Sequence, residues 1–183
     1  MFIDLEGSTT LAERLGSARY FALLQRFVDD LTEPILEAEG EIYQYAGDEI
    51  VVTWTLDAGT RQANCVRCFF EMRQAVARGV DGYRRDFGAV PSFRGGLHGG
   101  RVTAGELGDL RRQIVFVGDI LNTAARLEEH AKRTGLPLVV SGALLERLAL
   151  PAGVSATPCG ELVLRGKDAP VPAHGLAAAT PPA

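Results

Sequence analysis

Apolar residues recur at helical spacing through Leu11, Leu15, Phe21, Leu24, Phe27, Val28, Leu31 and Ile35. This predicts one long amphipathic helix, capped by Ser8 or Thr9 and closed by Gly40. The pattern then changes period. Ile42-Tyr43-Gln44-Tyr45 and Ile50-Val51-Val52-Thr53-Trp54 are β-rich arms around Ala46-Gly47-Asp48-Glu49, a hairpin with an acidic tip. Cys65, Val66, Phe69, Met72 and Val76 mark a second amphipathic helix from Thr60 to about Val80, followed by a polar link through Gly82 and Pro91. Phe93 to Leu107 reads as one glycine-rich strand, and Gln113 to Val117 as a strand feeding a helix from about Asp119 to Lys132. Leu138 to Val140, Glu161 to Leu164 and Val171 to Leu176 are further short strands, with a short helix near Ala143 to Leu148. Hairpins alternating with helices predict an α+β sandwich, its sheet mostly antiparallel with helices on one face. Residues 177–183 read as a disordered tail.

Composition narrows the class. A chain of 183 residues, 46% apolar and 23% charged, fits one globular domain with a sizeable core. The net charge is −4, and the 19 basic residues are scattered among 23 acidic ones, so the basic stripe of a nucleic-acid binder is missing. Cys65-Val66-Arg67-Cys68 has no second pair or histidine cluster to complete a zinc site, and reads as buried thiols on a helix. An odd cysteine count without a signal peptide points to a reducing cytoplasm. The most apolar stretch, Leu136 to Leu150, is interrupted by Ser141, Glu146 and Arg147, so no membrane contact is expected of this segment itself. Met1-Phe2-Ile3 runs into Asp4 with almost no strand before it. The first strand is therefore expected to begin upstream, in a longer parent protein that carries a sensor or membrane anchor.

Two constellations carry chemistry. Asp4 ends a strand and Asp48 sits on a hairpin tip, and carboxylates at strand ends suit a divalent metal whose shell is completed by substrate phosphates. Glu6-Gly7-Ser8-Thr9 opens a helix whose free N–H groups and positive end suit a triphosphate. Each aspartate alone reads better as a solvated turn carboxylate than as a metal ligand. In Gly118-Asp119-Ile120-Leu121-Asn122-Thr123-Ala124-Ala125-Arg126-Leu127, Asn122 and Arg126 are four apart and share one helix face. A carboxamide and a guanidinium there can hold a sugar and an anionic phosphorus centre, or simply form an exposed polar face.

Phe2-Ile3-Asp4-Leu5-Glu6-Gly7-Ser8-Thr9, Gly47-Asp48-Glu49, Arg94-Gly95-Gly96-Leu97-His98-Gly99-Gly100 and the stretch from Gly118 to Leu127 occur in order, and together resemble the class III adenylyl/guanylyl cyclase catalytic domain. The resemblance implies a ferredoxin-like palm sandwich with extra C-terminal strands over residues 1–176, with the first strand truncated. It implies a head-to-tail homodimer with shared active sites. Its substrate would be a nucleoside triphosphate, turned into the 3′,5′-cyclic monophosphate and pyrophosphate for cyclic-nucleotide signalling. By the same resemblance Asp4, Asp48 and the backbone carbonyl of Leu5 bind two divalent cations, Mg²⁺ or Mn²⁺. Glu6, Gly7, Ser8, Thr9 and Arg165 meet the phosphates, with Lys167 as a neighbouring substitute for Arg165, and Asn122 and Arg126 come from the partner chain. His98 matches a structural position of the family.

At the two base-reading positions the sequence departs from that family. Active adenylyl cyclases carry a lysine four residues before the second metal aspartate, and an aspartate or threonine three before the glycine that opens the asparagine/arginine helix. Here these positions are Gln44 and Val115. Guanylyl cyclases carry a glutamate and a small polar residue there, so neither standard pair is present. Gln44 can meet either purine, whereas Val115 offers no hydrogen bond. ATP is expected ahead of GTP, with Gln113 or Arg112 as substitute contacts. The alternative is a weak or inactive nucleotide-binding pseudo-cyclase with a regulatory role.

Overall fold

Alternation along the first strand decides where the rest of the molecule goes. In β1 (Phe2–Leu5), Ile3 and Leu5 point to one side of the sheet and Phe2 and Asp4 to the other. The computed structural model describes residues 1–108, 113–163 and 170–179. Its helices are α1 (Ser8–Leu15), α2 (Ser17–Glu37), α3 (Leu56–Thr60), α4 (Asn64–Arg78), α5 (Val80–Phe87), α6 (Ile120–Thr134) and α7 (Gly142–Leu145). The strands after β1 are β2 (Glu41–Ala46), β3 (Glu49–Thr53), β4 (Phe93–Leu97), β5 (Thr103–Leu107), β6 (Gln113–Val117), β7 (Leu138–Ser141), β8 (Val154–Leu162) and β9 (Val171–Ala178).

Seven strands form one sheet in the order β2-β3-β1-β4-β7-β9-β8, in which only β4 and β7 run parallel. β5 and β6 make a separate two-stranded hairpin. The expected α+β class and mostly antiparallel sheet hold, and β8 and β9 supply the extra C-terminal strands. The helices, however, do not share one face. Leu23, Phe27 and Leu31 of α2 and Phe69 and Met72 of α4 cover Ile3, Leu5, Ile50 and Leu97 on the first side. On the other, α6 lays Ala124 against Phe2 and Val51, and Leu127 and Ala131 against Val139. Gly96 permits that second layer. A Cβ there would lie 2.2 Å from the Ala124 carbonyl oxygen and 2.2 Å from the Glu128 nitrogen, so only a hydrogen lets the α6 backbone rest on β4.

Several expected elements are divided. The long N-terminal helix breaks at Gly16, whose backbone (φ 74°, ψ 158°) is closed to a residue with a side chain, while the apolar stripe continues across the break. Its cap is Gly7, with no side-chain bond from Ser8 or Thr9. The helix ends at Glu37, and the left-handed turn is made by Glu39 (φ 54°), leaving Gly40 to donate its N–H to the Ile35 carbonyl at 2.8 Å. Residues 80–87, expected as link, form α5 because Tyr83 is fully buried, donates to Asp30 Oδ2 at 2.8 Å and stacks under Arg26. The single strand expected from Phe93 to Leu107 is two, β4 in the main sheet and β5 in the hairpin. β9 extends two residues into the expected tail, where Ala177 and Ala178 pair with Ser155 and Val154. Among the described residues no helix is long and apolar enough to cross a membrane.

Candidate active site

Asp4 is 8% exposed, a carboxylate in a strand whose other three residues are also buried. It lies opposite Glu49 in the β1–β3 register and opposite Arg94 in the β1–β4 register, so the three side chains leave the same face of the sheet, beneath α6. Burial pushes its carboxyl above the usual range against the pull of Lys132, and like charges on Asp48 and Glu6 add to the rise. Asp48 occupies the two-residue turn between β2 and β3, next to Gly47 at φ 67°, and the hairpin brings it within electrostatic reach of Asp4. The Leu5 side chain is buried in the main core, which leaves its backbone oxygen for any ligand role.

The loop after β1 is tied down on both sides. Glu6 donates its N–H to the Ser92 carbonyl at 2.8 Å, and its carboxylate pairs with Arg94 at 2.5 Å. Gly7 takes a left-handed conformation and accepts the Leu11 N–H at 2.9 Å, leaving the first N–H groups of α1, from Ser8 and Thr9 onward, without intrahelical partners. Tyr20 stands by Ser8, and burial together with the charge of Asp48 raises its phenol.

Asn122 and Arg126 are both exposed on α6 and line a cleft of about 520 Å³ with Glu49, Asp119, Ala125, Glu128 and Glu129. Arg126 pairs with Glu129 at 2.7 Å. Gln44 lies on β2 and Val115 on β6, both half-buried. A register shift between Ile42 and Gln44 inserts Tyr43 as a β-bulge, so that Gln44 stands opposite Val51. Tyr43 packs on Phe116 of β6 with ring centroids 4.6 Å apart, which joins the small hairpin to the main sheet beside both positions. Arg165, Lys167 and Arg112 fall outside the described residues, as does the side chain of Gln113. His98 is occupied by Ser141, Nδ1 to Oγ at 2.7 Å.

Three residues that sequence reasoning did not single out complete the surroundings of Asp4. The ammonium of Lys132 pairs with Asp4 and lies 3.6 Å from Glu128 Oε1. Glu128 is 5% exposed; burial drives its carboxyl up to about 7, although Lys132 pulls the other way. Glu49 is raised by burial and by the charge of Asp4. For Lys132, burial lowers its pKa, but pairing with Asp4 and the charges of Glu128, Asp4 and Asp48 outweigh burial and raise it. The i, i+4 spacing of Glu128 and Lys132 was readable, but the approach of α6 to β1 was not.

The site suits hard cations. Among the described residues no three His, Cys, Asp or Glu side chains form a metal cage, so a cation there would rely on the expected pair of carboxylates, a backbone carbonyl and oxygen ligands from elsewhere. Glu128 Oε1 is also buried here, 3.6 Å from the ammonium that sits against Asp4. Mg²⁺ or Mn²⁺ held by Asp4, Asp48 and the Leu5 carbonyl, with phosphates filling the shell, fits that donor set.

Residues 1–174 match the family model of the adenylate and guanylate cyclase catalytic domain. The chain is 37% identical over 167 residues to adenylate cyclase 2 of Rhizobium meliloti, covering 91% of this chain and 46% of that protein. It is 28% identical over 174 residues to an adenylate cyclase of Anabaena cylindrica, covering 92% of this chain and 34% of the relative. It thus spans less than half the length of either. Its fold is similar to the adenylyl cyclase CyaB from P. aeruginosa (TM-score 0.83, 21% identity, 98% of this chain and 93% of that one). It is also similar to the guanylyl cyclase Cya2 (TM-score 0.81, 24% identity, 99% and 91%). The chain therefore belongs to the adenylate and guanylate cyclase catalytic domain family, a family of enzymes.

Proposed function

We propose that the domain converts a nucleoside triphosphate, ATP ahead of GTP, into the 3′,5′-cyclic monophosphate and pyrophosphate for intracellular signalling, as a homodimer with two shared active sites. The observation that carries this reading is how one chain distributes its site along α6. Lys132, which touches Asp4, lies six residues beyond Arg126 and ten beyond Asn122, so at 1.5 Å per residue those two positions sit about 9 and 15 Å back along the helix axis from Lys132. Asn122 and Arg126 open onto the exposed cleft. A second chain that presents its own cleft to Asp4 and Asp48 brings the two halves together.

In the reaction the ribose 3′-oxygen forms a bond to the α-phosphorus, the α–β bridging bond breaks, pyrophosphate leaves with the electron pair, and the 3′ proton is lost to solvent. When bound, two divalent cations supply activation of the 3′-hydroxyl and neutralisation of the leaving pyrophosphate. Asp4 and Asp48 provide the negative charge that holds the cations. The loop Glu6-Gly7-Ser8-Thr9 and the start of α1 meet phosphate oxygens through backbone N–H groups, Glu6 being neutralised by Arg94. Arg165 adds positive charge at the terminal phosphates. Arg126 stabilises charge as the α-phosphate becomes pentacoordinate, and Asn122 orients the ribose. Gln44 reads the purine with one adaptable amide, while Val115 leaves a polar base edge unmatched, at about 1–3 kcal/mol. That corresponds to roughly a ten- to hundredfold loss of discrimination.

The test is product chromatography from ATP and GTP with Mg²⁺ and with Mn²⁺. It is paired with mixing of two inactive variants, Asp4→Asn and Arg126→Ala. Random pairing of a shared-site dimer restores roughly a quarter of wild-type activity, since half the dimers are mixed and each mixed dimer keeps one complete site. No restoration refutes the shared site. Nucleotide-dependent stabilisation without any cyclic product identifies a regulatory pseudo-cyclase, and a dinucleotide from GTP would end the mononucleotide reading. Gln44→Lys with Val115→Asp raises the ATP/GTP ratio if both positions face the base.

A further inference from the structure

The carboxylates of the site already hold a cation. Lys132 reaches from the last turns of α6 to pair with Asp4, and Glu128, one turn earlier, lies 3.6 Å from the same ammonium. Gly96 fixes this arrangement by letting the α6 backbone rest on β4, so that Glu128 and Lys132 are held over the β1 strand end. Arg94, opposite Asp4 in the β1–β4 register, is committed elsewhere, since it pairs with Glu6 at 2.5 Å and donates to the Leu136 carbonyl at 2.9 Å.

We propose that Lys132 is a tethered counter-cation that competes with divalent metal for Asp4, so that metal enters only as the ammonium moves onto Glu128. The two carboxylates are nearly immobile, with side chains 11% and 7% exposed, whereas Lys132 is 44% exposed on a flexible four-carbon stem. It is the partner free to move. Its second position needs no backbone change, because Glu128 Oε1 is buried and already faces the ammonium at 3.6 Å. Without Lys132, the carboxylates of Asp4, Glu49 and Glu128 would face one another with no counter-charge between them. The exchange therefore stabilises the metal-free domain and weakens its first metal site, which makes Lys132 a positioning residue that sets how much metal the reaction requires.

The inference rests on Asp4 being a metal ligand, and the two ideas separate experimentally. Mn²⁺ is titrated into the intact chain, wild type, Lys132→Met, Lys132→Arg and Asp4→Asn, with unbound Mn²⁺ followed by electron paramagnetic resonance and melting temperature measured with and without the ion. Lys132→Met is expected to bind Mn²⁺ about tenfold more tightly than wild type and to gain more in melting temperature from it, because one opposing charge has gone from a partly exposed site. Lys132→Arg, which keeps the charge and adds a planar fork that can grip Asp4, is expected to bind it more weakly than wild type. Equal or weaker binding by a folded Lys132→Met overturns the proposal. If that variant does not fold, equal or tighter binding by Lys132→Arg does so. Asp4→Asn binding Mn²⁺ as wild type does would instead overturn the metal assignment itself.

Discussion

Replacing Gly96 with alanine adds one methyl group at the closest contact between the sheet and α6. The new Cβ would meet the Ala124 carbonyl oxygen and Glu128 nitrogen at 2.2 Å and the Glu128 Cα at 2.8 Å. Carbon and oxygen approach comfortably at about 3.3 Å or more, so α6 has to withdraw by about 1 Å. These are backbone atoms, and no rotamer change relieves the clash. Withdrawal loosens Ala124, Leu127 and Ala131 from Phe2, Val51 and Val139 and forfeits part of every dispersion contact along that seam. A cost at the upper end of overpacking, about 3 kcal/mol, outweighs the roughly 0.5–1 kcal/mol that alanine otherwise gains over glycine in a strand. For a chain of this size that is a fall in melting temperature of about 6–12 °C. Gly95→Ala is the internal control. Its Cβ meets the side chains of Phe69 at 2.8 Å and Leu138 at 3.0 Å on the opposite face, and these can shift, at about 1–2 kcal/mol. Because α6 carries Asn122 and Arg126, turnover of Gly96→Ala should fall by about a hundredfold, while Gly95→Ala stays closer to wild type. Thermal melts by circular dichroism and a cyclic-nucleotide assay decide it. If Gly96→Ala melts no lower than Gly95→Ala, α6 does not rest on the β4 backbone and the reasoning fails.

Arg126→Ala and Asn122→Ala are each expected to lower kcat by about a hundred- to a thousandfold with KM nearly unchanged, and a loss confined to KM would remove them from transition-state roles. Burial raises the Cys65 and Cys68 thiols to about 11 and about 12, so in the native chain both should resist alkylation at pH 8. Cys159 is half-exposed and should react first, and mass mapping after brief iodoacetamide treatment tests this order. Glu128 has a folded pKa of about 7, above the usual glutamate value of 4.5, so its stabilising share is complete below pH 4.5 and lost as pH rises through 7. Metal-free wild type should therefore lose stability of order 2 kcal/mol over that window relative to Glu128→Gln, measured by urea unfolding at stepped pH; parallel pH profiles would contradict the assignment.

The elements that were legible from sequence are those whose partners lie close in the chain. The β2–β3 hairpin around Gly47-Asp48 and the apolar stripe of α6 follow from period and turn chemistry over fifteen residues or fewer. Gly16 was hidden because the stripe from Leu11 to Phe27 keeps its spacing through a non-helical glycine. α5 was hidden because its anchor is one tyrosine whose partners, Asp30 and Arg26, belong to α2. The same holds in the site. Asp4, Asp48, Asn122 and Arg126 stand in stretches that mark themselves by residue type, whereas Glu128 and Lys132 gain their meaning only when α6 crosses β1. No local pattern encodes a crossing.

The bulge at Tyr43 has a consequence for how substrate choice can change. Without the extra residue, position 44 would fall opposite Ile50 and face the core side of the sheet; with it, Gln44 stands opposite Val51, on the α6 side. Beyond the bulge, Tyr45↔Ile50 and Ala46↔Glu49 resume regular pairing and hold the turn that carries Asp48. On the proposed assignment, a single strand thus carries a base-reading position at one side of the bulge and the turn that holds Asp48 at the other. If Gln44 reads the base as proposed, replacements at position 44 retune which nucleotide is accepted while the regular pairing beyond the bulge keeps the geometry at Asp48 as it was.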